Sequence, residues 1–239
     1  MGYAAILGRR VGDHVPLWRR LRDLLSPLSA QARRPPRQRR KGPCPRPEVP
    51  PRPERPFPSA VDDAAADYRW LLGEGHHPER VVIAGDSSAG GLTVAAMLKL
   101  RDDGAALPAG GVPISPWVDL ACTGETLETN AAADLTATKT SLQRMAGQYL
   151  QGEDPHTPLA SPLYADLSGI PPLLVVVGGA EALLDDSVRL SRSAGMAGVD
   201  VTLYIGAGMQ HIFPIYCGAI PESDAAVAMI GAWVHSRTS

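Results

Sequence analysis

Between Val81 and Ala96 the chain reads Val-Val-Ile-Ala-Gly-Asp-Ser-Ser-Ala-Gly-Gly-Leu-Thr-Val-Ala-Ala. An apolar run of strand length meets a cluster of small residues, and an Ala/Leu-rich helical pattern begins at once. Strand, abrupt turn with an embedded serine, then helix is the layout of a nucleophile elbow. Gly and Ala beside the serine let strand and helix approach where a bulky Cβ substituent would clash. The first turn of such a helix aims backbone N–H groups at the place where an oxyanion would develop. The competing readings are a glycine-rich phosphate loop and an ordinary strand-to-helix turn. Against the first, the stretch lacks the Lys-Ser/Thr of a P-loop and the glycine spacing of a dinucleotide fingerprint.

Two adjacent serines compete for the role of nucleophile. With Ser87 in the turn, the residues two before and two after are Gly85 and Ala89. With Ser88 they are Asp86 and Gly90. Crowding penalises a branched, charged Asp far more than an Ala, so the Ser87 frame is preferred. Ala89 still departs from a strict G-x-S-x-G pattern.

Gly85-Asp86-Ser87 followed by Gly90-Gly91-Leu92 resembles the GDSAGG block of the hormone-sensitive-lipase-like (GDXG) family of α/β-hydrolases. The carboxylesterase and acetyl-hydrolase branch in bacteria is the most similar part of that family. Pro53-Glu54-Arg55-Pro56-Phe57-Pro58, Ser115-Pro116-Trp117-Val118-Asp119-Leu120, Ala160-Ser161-Pro162-Leu163 and Gly208-Met209-Gln210-His211 fall in the family's order. The resemblance runs from Pro53 to the C-terminus and is poor over the first fifty residues.

At 239 residues the chain is long enough for one sizeable core, and the expectation is a single α/β-hydrolase domain over 1–239. A hydrophobic content of 44% and a charged content of 20% fit a globular protein in water. No run approaches the apolar length of a membrane span, and the start has neither signal-peptide nor myristoylation layout. Cys44, Cys122 and Cys217 are odd in number and far apart. That argues against a disulfide framework or zinc site and for a cytoplasmic location. His14, His156 and His235 show no metal-ligand spacing with Cys or Asp, and His76 and His77 read as solvated turn residues.

The first thirty residues begin unusually for this family. Met1-Gly2-Tyr3 is similar to the tail of its His-Gly-Gly-Gly-Tyr oxyanion loop, which makes the Gly2 N–H a candidate oxyanion donor beside that of Ser88. Leu17, Leu21, Leu24, Leu25 and Leu28 recur at helical spacing over residues 16–28. By resemblance, opening strands and part of a cap would precede this point, leaving an open sheet edge beside strand 81–85. Residues 33–58 carry nine Lys/Arg and two Asp/Glu, leaving 14 and 23 in the rest of the chain. The Arg/Pro-rich tract 33–52 is no central strand, because proline removes ladder donors. A basic arm and an extended polyproline linker are two readings of it. A third is a shifted reading frame in GC-rich DNA, since the family has a buried strand here. On that reading the chain as written is a poorly soluble, weak esterase.

From residue 58 onward strands and helices alternate, which implies a mostly parallel, doubly wound α/β sheet. Helices are expected over 59–72, from the elbow to about 100, and over 138–150, 182–197 and 223–235. Further strands are expected over 111–115, 173–177 and 201–205, although Pro113 weakens the first. Ser59 reads as an N-cap, with Ala60, Ala64, Tyr68 and Leu71 on the buried side. Trp117 and Asp119 fall at a strand's C-terminal end, where open α/β sheets place ligands. By resemblance, residues 121–170 form the excursion that contributes a partial cap.

Glu181 lies just past the strand ending near Gly178, and His211 just past the one ending at Ile205. Ser, acid, His is the α/β-hydrolase chain order. A serine hydroxyl is a weak nucleophile until an imidazole takes its proton and a carboxylate fixes that imidazole's tautomer. Glu181-Ala182-Leu183-Leu184-Asp185 aligns with the family's Asp-Pro-Leu-x-Asp segment, putting Glu181 in the acid's slot. Asp185, one helical turn further, is the alternative acid. The resemblance implies a serine hydrolase of short acyl esters, without cofactor or metal and without nucleic acid as partner. The alternatives are an acetyl-hydrolase acting on an N- or O-acetylated metabolite, and a non-catalytic small-molecule-binding protein on the same fold.

Overall fold

The computed structural model of the chain describes residues 5–6 and 56–239. Gly2, the 16–28 helix and the Arg/Pro-rich tract lie outside the described residues. Five strands form one sheet in the order β1 (Ala5–Ile6), β2 (Val82–Asp86), β3 (Gly110–Ile114), β4 (Leu173–Gly178) and β5 (Val201–Gly206). All four neighbouring pairs are parallel. The helices are α1 (Ser59–Gly73), α2 (Ser88–Asp102), α3 (Thr126–Thr129), α4 (Lys139–Leu150), α5 (Leu184–Met196) and α6 (Pro221–Thr238).

The central strands β3 and β4 are buried along their whole length because both faces of the sheet are covered there, whereas the edge strand β5 is only partly buried. Val81, Ile83, Leu173 and Val175 point to one face and pack with Tyr68 of α1, Met97 and Leu98 of α2, and Leu190 of α5. Val82, Ala84, Val112, Ile114, Leu174 and Val176 point to the other, against Phe213 and against Ala226, Val227, Ile230 and Val234 of α6. The period-2 alternation within an unbroken apolar run therefore serves two cores at once. Each such side chain contributes about 1.5–3 kcal/mol when fully buried. A third cluster lies beyond the C-terminal ends of β3 and β4. There Leu127, Leu142, Ala146 and Leu150 of the 121–170 excursion close over Trp117, Leu120, Ala182 and Leu183.

Pro113 sits in a central, fully buried strand, and the ladder accommodates it locally. The flanking donors of β3 that face β4 are kept, Gly111 N–H to Pro172 O at 2.9 Å and Ser115 N–H to Val176 O at 2.6 Å. Pro113 falls between them and lacks the intervening donor, so the cost is one ladder bond on one side. On its other side Pro113 stays in register with Gly85 of β2.

Several expectations shift. Strand 81–85 has no fully open edge, because Ala5–Ile6 pairs in parallel with Ile83–Ala84. Two residues are too few to announce a strand, yet pairing needs only their backbone groups. Ser59 is the first residue of α1 rather than its cap, since the Pro58 carbonyl already accepts from Val61 and Asp62. The buried stripe is accordingly Val61, Ala64, Ala65 and Tyr68. Helix α5 starts at Leu184 instead of 182, after a turn in which the Ala182 N–H donates to the Asp134 carboxylate at 2.7 Å.

Candidate active site

Ser87 stands between β2 and α2 with φ 56° and ψ −121°, a backbone conformation rare for a residue with a side chain. Its surroundings over-determine that conformation. The Ser87 N–H donates to Ile114 O at 2.9 Å, and its carbonyl accepts from Gly90 N–H at 2.9 Å and Trp117 N–H at 3.0 Å. A Cβ on Gly85 would lie 2.3 Å from the Ala89 carbonyl oxygen, so only glycine admits helix α2 this close to the strand. Ser88, by contrast, is exposed on the first turn of α2. The first N–H groups of a helix have no intrahelical acceptor, which leaves that of Ser88 beside the Ser87 hydroxyl.

His211 follows β5 in the loop before the short 3-10 turn Phe213–Tyr216. Its Nε2 lies 3.0 Å from Ser87 Oγ, and its Nδ1 lies 3.1 Å from Glu181 Oε1. A carboxylate only accepts, so the proton belongs on Nδ1 and Nε2 is free to accept from the serine. Glu181 is fully buried, and its Oε2 accepts from Ser115 Oγ at 2.7 Å and Gly178 N–H at 2.8 Å. Gly178 also lets the acid and histidine loops meet. A Cβ there would stand 2.4 Å from Met209 O and 2.5 Å from Gln210 O. A serine bonded to an imidazole that is itself bonded to a buried carboxylate is the arrangement that activates a hydroxyl for attack.

Burial raises the Asp86 carboxyl above its ordinary range, opposed by its own backbone hydrogen bond and by the charge of His211. Asp185 takes no part in the Ser87–His211–Glu181 chain. Its Oδ2 accepts from Glu125 N–H at 2.9 Å and lies 3.9 Å from Arg189.

Much of the support for the site carries no sequence motif. Asn130 Nδ2 donates to Glu181 O at 2.9 Å, and the Asp134 carboxylate binds Ala182 N–H, so the 130–137 loop braces the acid turn. Burial works to raise Asp134, but hydrogen bonds from Ala182, Ala137 and Thr136 N–H outweigh it and hold the carboxyl below its usual range. Gln210 accepts from Leu135 N–H at 3.2 Å, tying the same loop to the residue before His211. Asp119 is a structural hub. Its oxygens accept from Ala121 N–H, Thr123, Tyr164 and Arg189, and these bonds keep its carboxyl low although burial opposes them. Asp186, one residue beyond the alternative acid, accepts from Val118 and Asp119 N–H through Oδ2. Ser115 could have been found from its place at the end of β3, where parallel sheets gather their sites. Asn130 and Asp134 give no such signal, whereas Gln210 lies in the Gly208–His211 segment.

Among the described residues, no group of three His, Cys, Asp or Glu side chains has metal-binding geometry, and no helix is long and apolar enough to cross a membrane.

Residues 50–215 match a family model described as alpha/beta hydrolase fold. The acetyl-hydrolase of Streptomyces hygroscopicus is 47% identical over 186 residues, which cover 78% of this chain and 62% of that protein. An esterase of Acinetobacter venetianus is 37% identical over 185 residues, covering 77% and 61%. The crystal structure of an esterase from the bacterial hormone-sensitive lipase family superposes with a TM-score of 0.77 at 48% identity, over 78% of this chain and 63% of that one. The chain belongs to the α/β-hydrolase fold family, in its bacterial hormone-sensitive-lipase-like branch. It spans about three-fifths of the length of these curated relatives.

Proposed function

We propose that the chain is a serine hydrolase of short acyl esters, with Ser87 as nucleophile, His211 as base and Glu181 as the acid that orients it. The observation that carries this reading is the unbroken path Ser87 Oγ, His211 Nε2, His211 Nδ1, Glu181 Oε1, with contacts of 3.0 and 3.1 Å. His211 Nε2 takes the Ser87 proton as Oγ bonds to the ester carbonyl carbon. The oxyanion forms next to the Ser88 N–H at the start of α2, whose dipole favours negative charge there. Collapse breaks the bond to the alcohol oxygen, which leaves with the proton from His211. Water then repeats the sequence on the acyl-serine, returning the carboxylic acid and the free hydroxyl.

Acetyl groups are the favoured acyl class, a reading supported by the name of the Streptomyces relative. Cytoplasmic residence accords with Cys122 and Cys217 as buried thiols, the first pushed up to about 11 by burial, with the negative charge of Asp119 adding to it. A non-catalytic binding protein would have no need to hold a serine in a strained turn against an imidazole. The test is labelling with a fluorophosphonate followed by peptide mapping. Covalent modification at Ser87 together with faster cleavage of p-nitrophenyl acetate than of longer esters is expected. An unlabelled Ser87 in folded protein refutes the reading.

A further inference from the structure

We infer that Ser115 is a positioning residue for both the acid and the base, its one hydroxyl fixing the Glu181 carboxylate and the backbone of the histidine loop together. The inference rests on the reading of Ser87, His211 and Glu181 as a triad. Ser115 is completely buried and holds φ 44° at the end of β3, pinned by its N–H to Val176 O at 2.6 Å. Its Oγ accepts from Ile212 N–H at 2.9 Å and donates to Glu181 Oε2 at 2.7 Å. The direction of both bonds is forced. An amide N–H only donates, so the single hydroxyl proton goes to the carboxylate.

The consequence for the acid is a division of labour between its oxygens. Ser115 and Gly178 occupy Oε2, which turns Oε1 toward His211 Nδ1. The consequence for the base is local. Ile212 has φ 49°, and its N–H bond to Ser115 anchors that left-handed residue next to His211. Two loops that are 66 and 97 residues from Ser115 in sequence are thus set relative to one another by one oxygen. A buried serine that served packing alone would satisfy its hydroxyl on a nearby carbonyl, as Ser187 does on Leu183 O.

The hydroxyl also tempers the carboxylate. A donor on Oε2 withdraws charge from the group that stabilises the imidazolium, so removing it should make His211 a stronger base while leaving it less well aimed. Asp86 is coupled electrostatically to His211, and it is unchanged by substitution at 115. The experiment compares Ser115→Ala and Ser115→Gly with the parent chain, with Glu181→Gln as reference. Rates on p-nitrophenyl acetate are measured across pH, and the His211 ring is titrated by NMR, which needs no turnover. Glycine is included because it relieves the positive φ while removing the same hydroxyl. Expected are a kcat about ten- to a hundredfold lower, as loss of a hydrogen bond to a charged group implies, and a KM within about twofold. The NMR titration of the variants should lie above that of the parent. A fall in rate with the titration unmoved would mean a merely structural serine and overturns the inference, as does no change in either. If Glu181→Gln is harmless, the triad reading falls and this inference with it. If Glu181→Gln is damaging while both Ser115 variants behave as the parent, this inference alone falls.

Discussion

Gly85 and Ala89 meet face to face across the elbow. The space a side chain would fill on Gly85 is occupied by the Ala89 carbonyl, 2.3 Å from the would-be Cβ, and by Ala89 Cβ at 3.0 Å. The alanine that breaks the family's glycine pattern is tolerated because its partner two residues before the nucleophile has no Cβ. Gly85→Ala is therefore expected to push α2 off β2 and destabilise the fold by about 1–3 kcal/mol, the usual cost of overpacking. Ala89→Gly relieves no clash and should cost less than about 1 kcal/mol in helix propensity. Urea unfolding of the two variants checks the asymmetry, and equal losses would contradict it.

Ser87 and Ser88 are separated by the same geometry. Ser87→Ala removes the hydroxyl bonded to His211 Nε2 and is expected to lower ester hydrolysis by a factor on the order of a thousand or more. Ser88→Ala keeps the backbone N–H at the start of α2 and removes only an exposed side chain, so most activity should remain. Steady-state rates on a p-nitrophenyl ester decide between them. A severe loss in the Ser88 variant would move the nucleophile by one residue.

The acid can be separated from its neighbour in the same way. Glu181→Gln leaves a neutral amide facing His211 Nδ1 and should reduce kcat by roughly a hundredfold to ten-thousandfold. Asp185→Asn loses a partly buried carboxylate that bonds Glu125 N–H rather than the imidazole, and should leave kcat within about twofold. A damaging Asp185→Asn beside a mild Glu181→Gln would exchange the two roles.

What the sequence makes legible follows from range. The strands at 82–86, 173–178 and 201–206 are largely apolar, β-branched runs between turn signals, and they emerge within a residue of where they read. Ser87, Glu181 and His211 each follow a strand, so the parallel topology alone brings them to the C-terminal end of the sheet. Asn130 and Asp134 are different. Their side chains act on residues 51 and 48 positions away, and an asparagine or aspartate in a loop looks the same with or without such a partner. On α1, Ala64 and Tyr68 are buried as the spacing predicts, while Val61 and Ala65 are buried in place of Ala60 and Leu71, because an alanine-rich helix offers little contrast between its faces.

Asp186 supplies a prediction about stability and pH. Its Oδ2 accepts two backbone N–H bonds, from Val118 at 2.9 Å and Asp119 at 3.0 Å, while its Oδ1 is buried without a hydrogen-bond partner. Burial pushes this carboxyl up to about 7, the negative charge of Asp119 adds to the rise, and the two N–H bonds oppose it. In the unfolded chain an aspartate titrates near ~3.9. Between those values the folded protein binds a proton that the unfolded chain has released, so stability falls as pH rises. The contribution is fully present below about pH 4 and is lost through neutrality, a change on the order of a few kcal/mol. Asp119 and Asp134, whose carboxyls are held low, act with the opposite sign and below that window. Asp186→Asn cannot ionise and retains an oxygen for the Val118 and Asp119 donors. The difference in unfolding free energy, parent minus Asn variant, should therefore decrease steadily from about pH 4.5 to about pH 8. Urea denaturation followed by tryptophan fluorescence at several pH values measures it. A difference that stays constant, or grows with pH, would show that the Asp186 carboxylate is charged at no cost inside the folded protein.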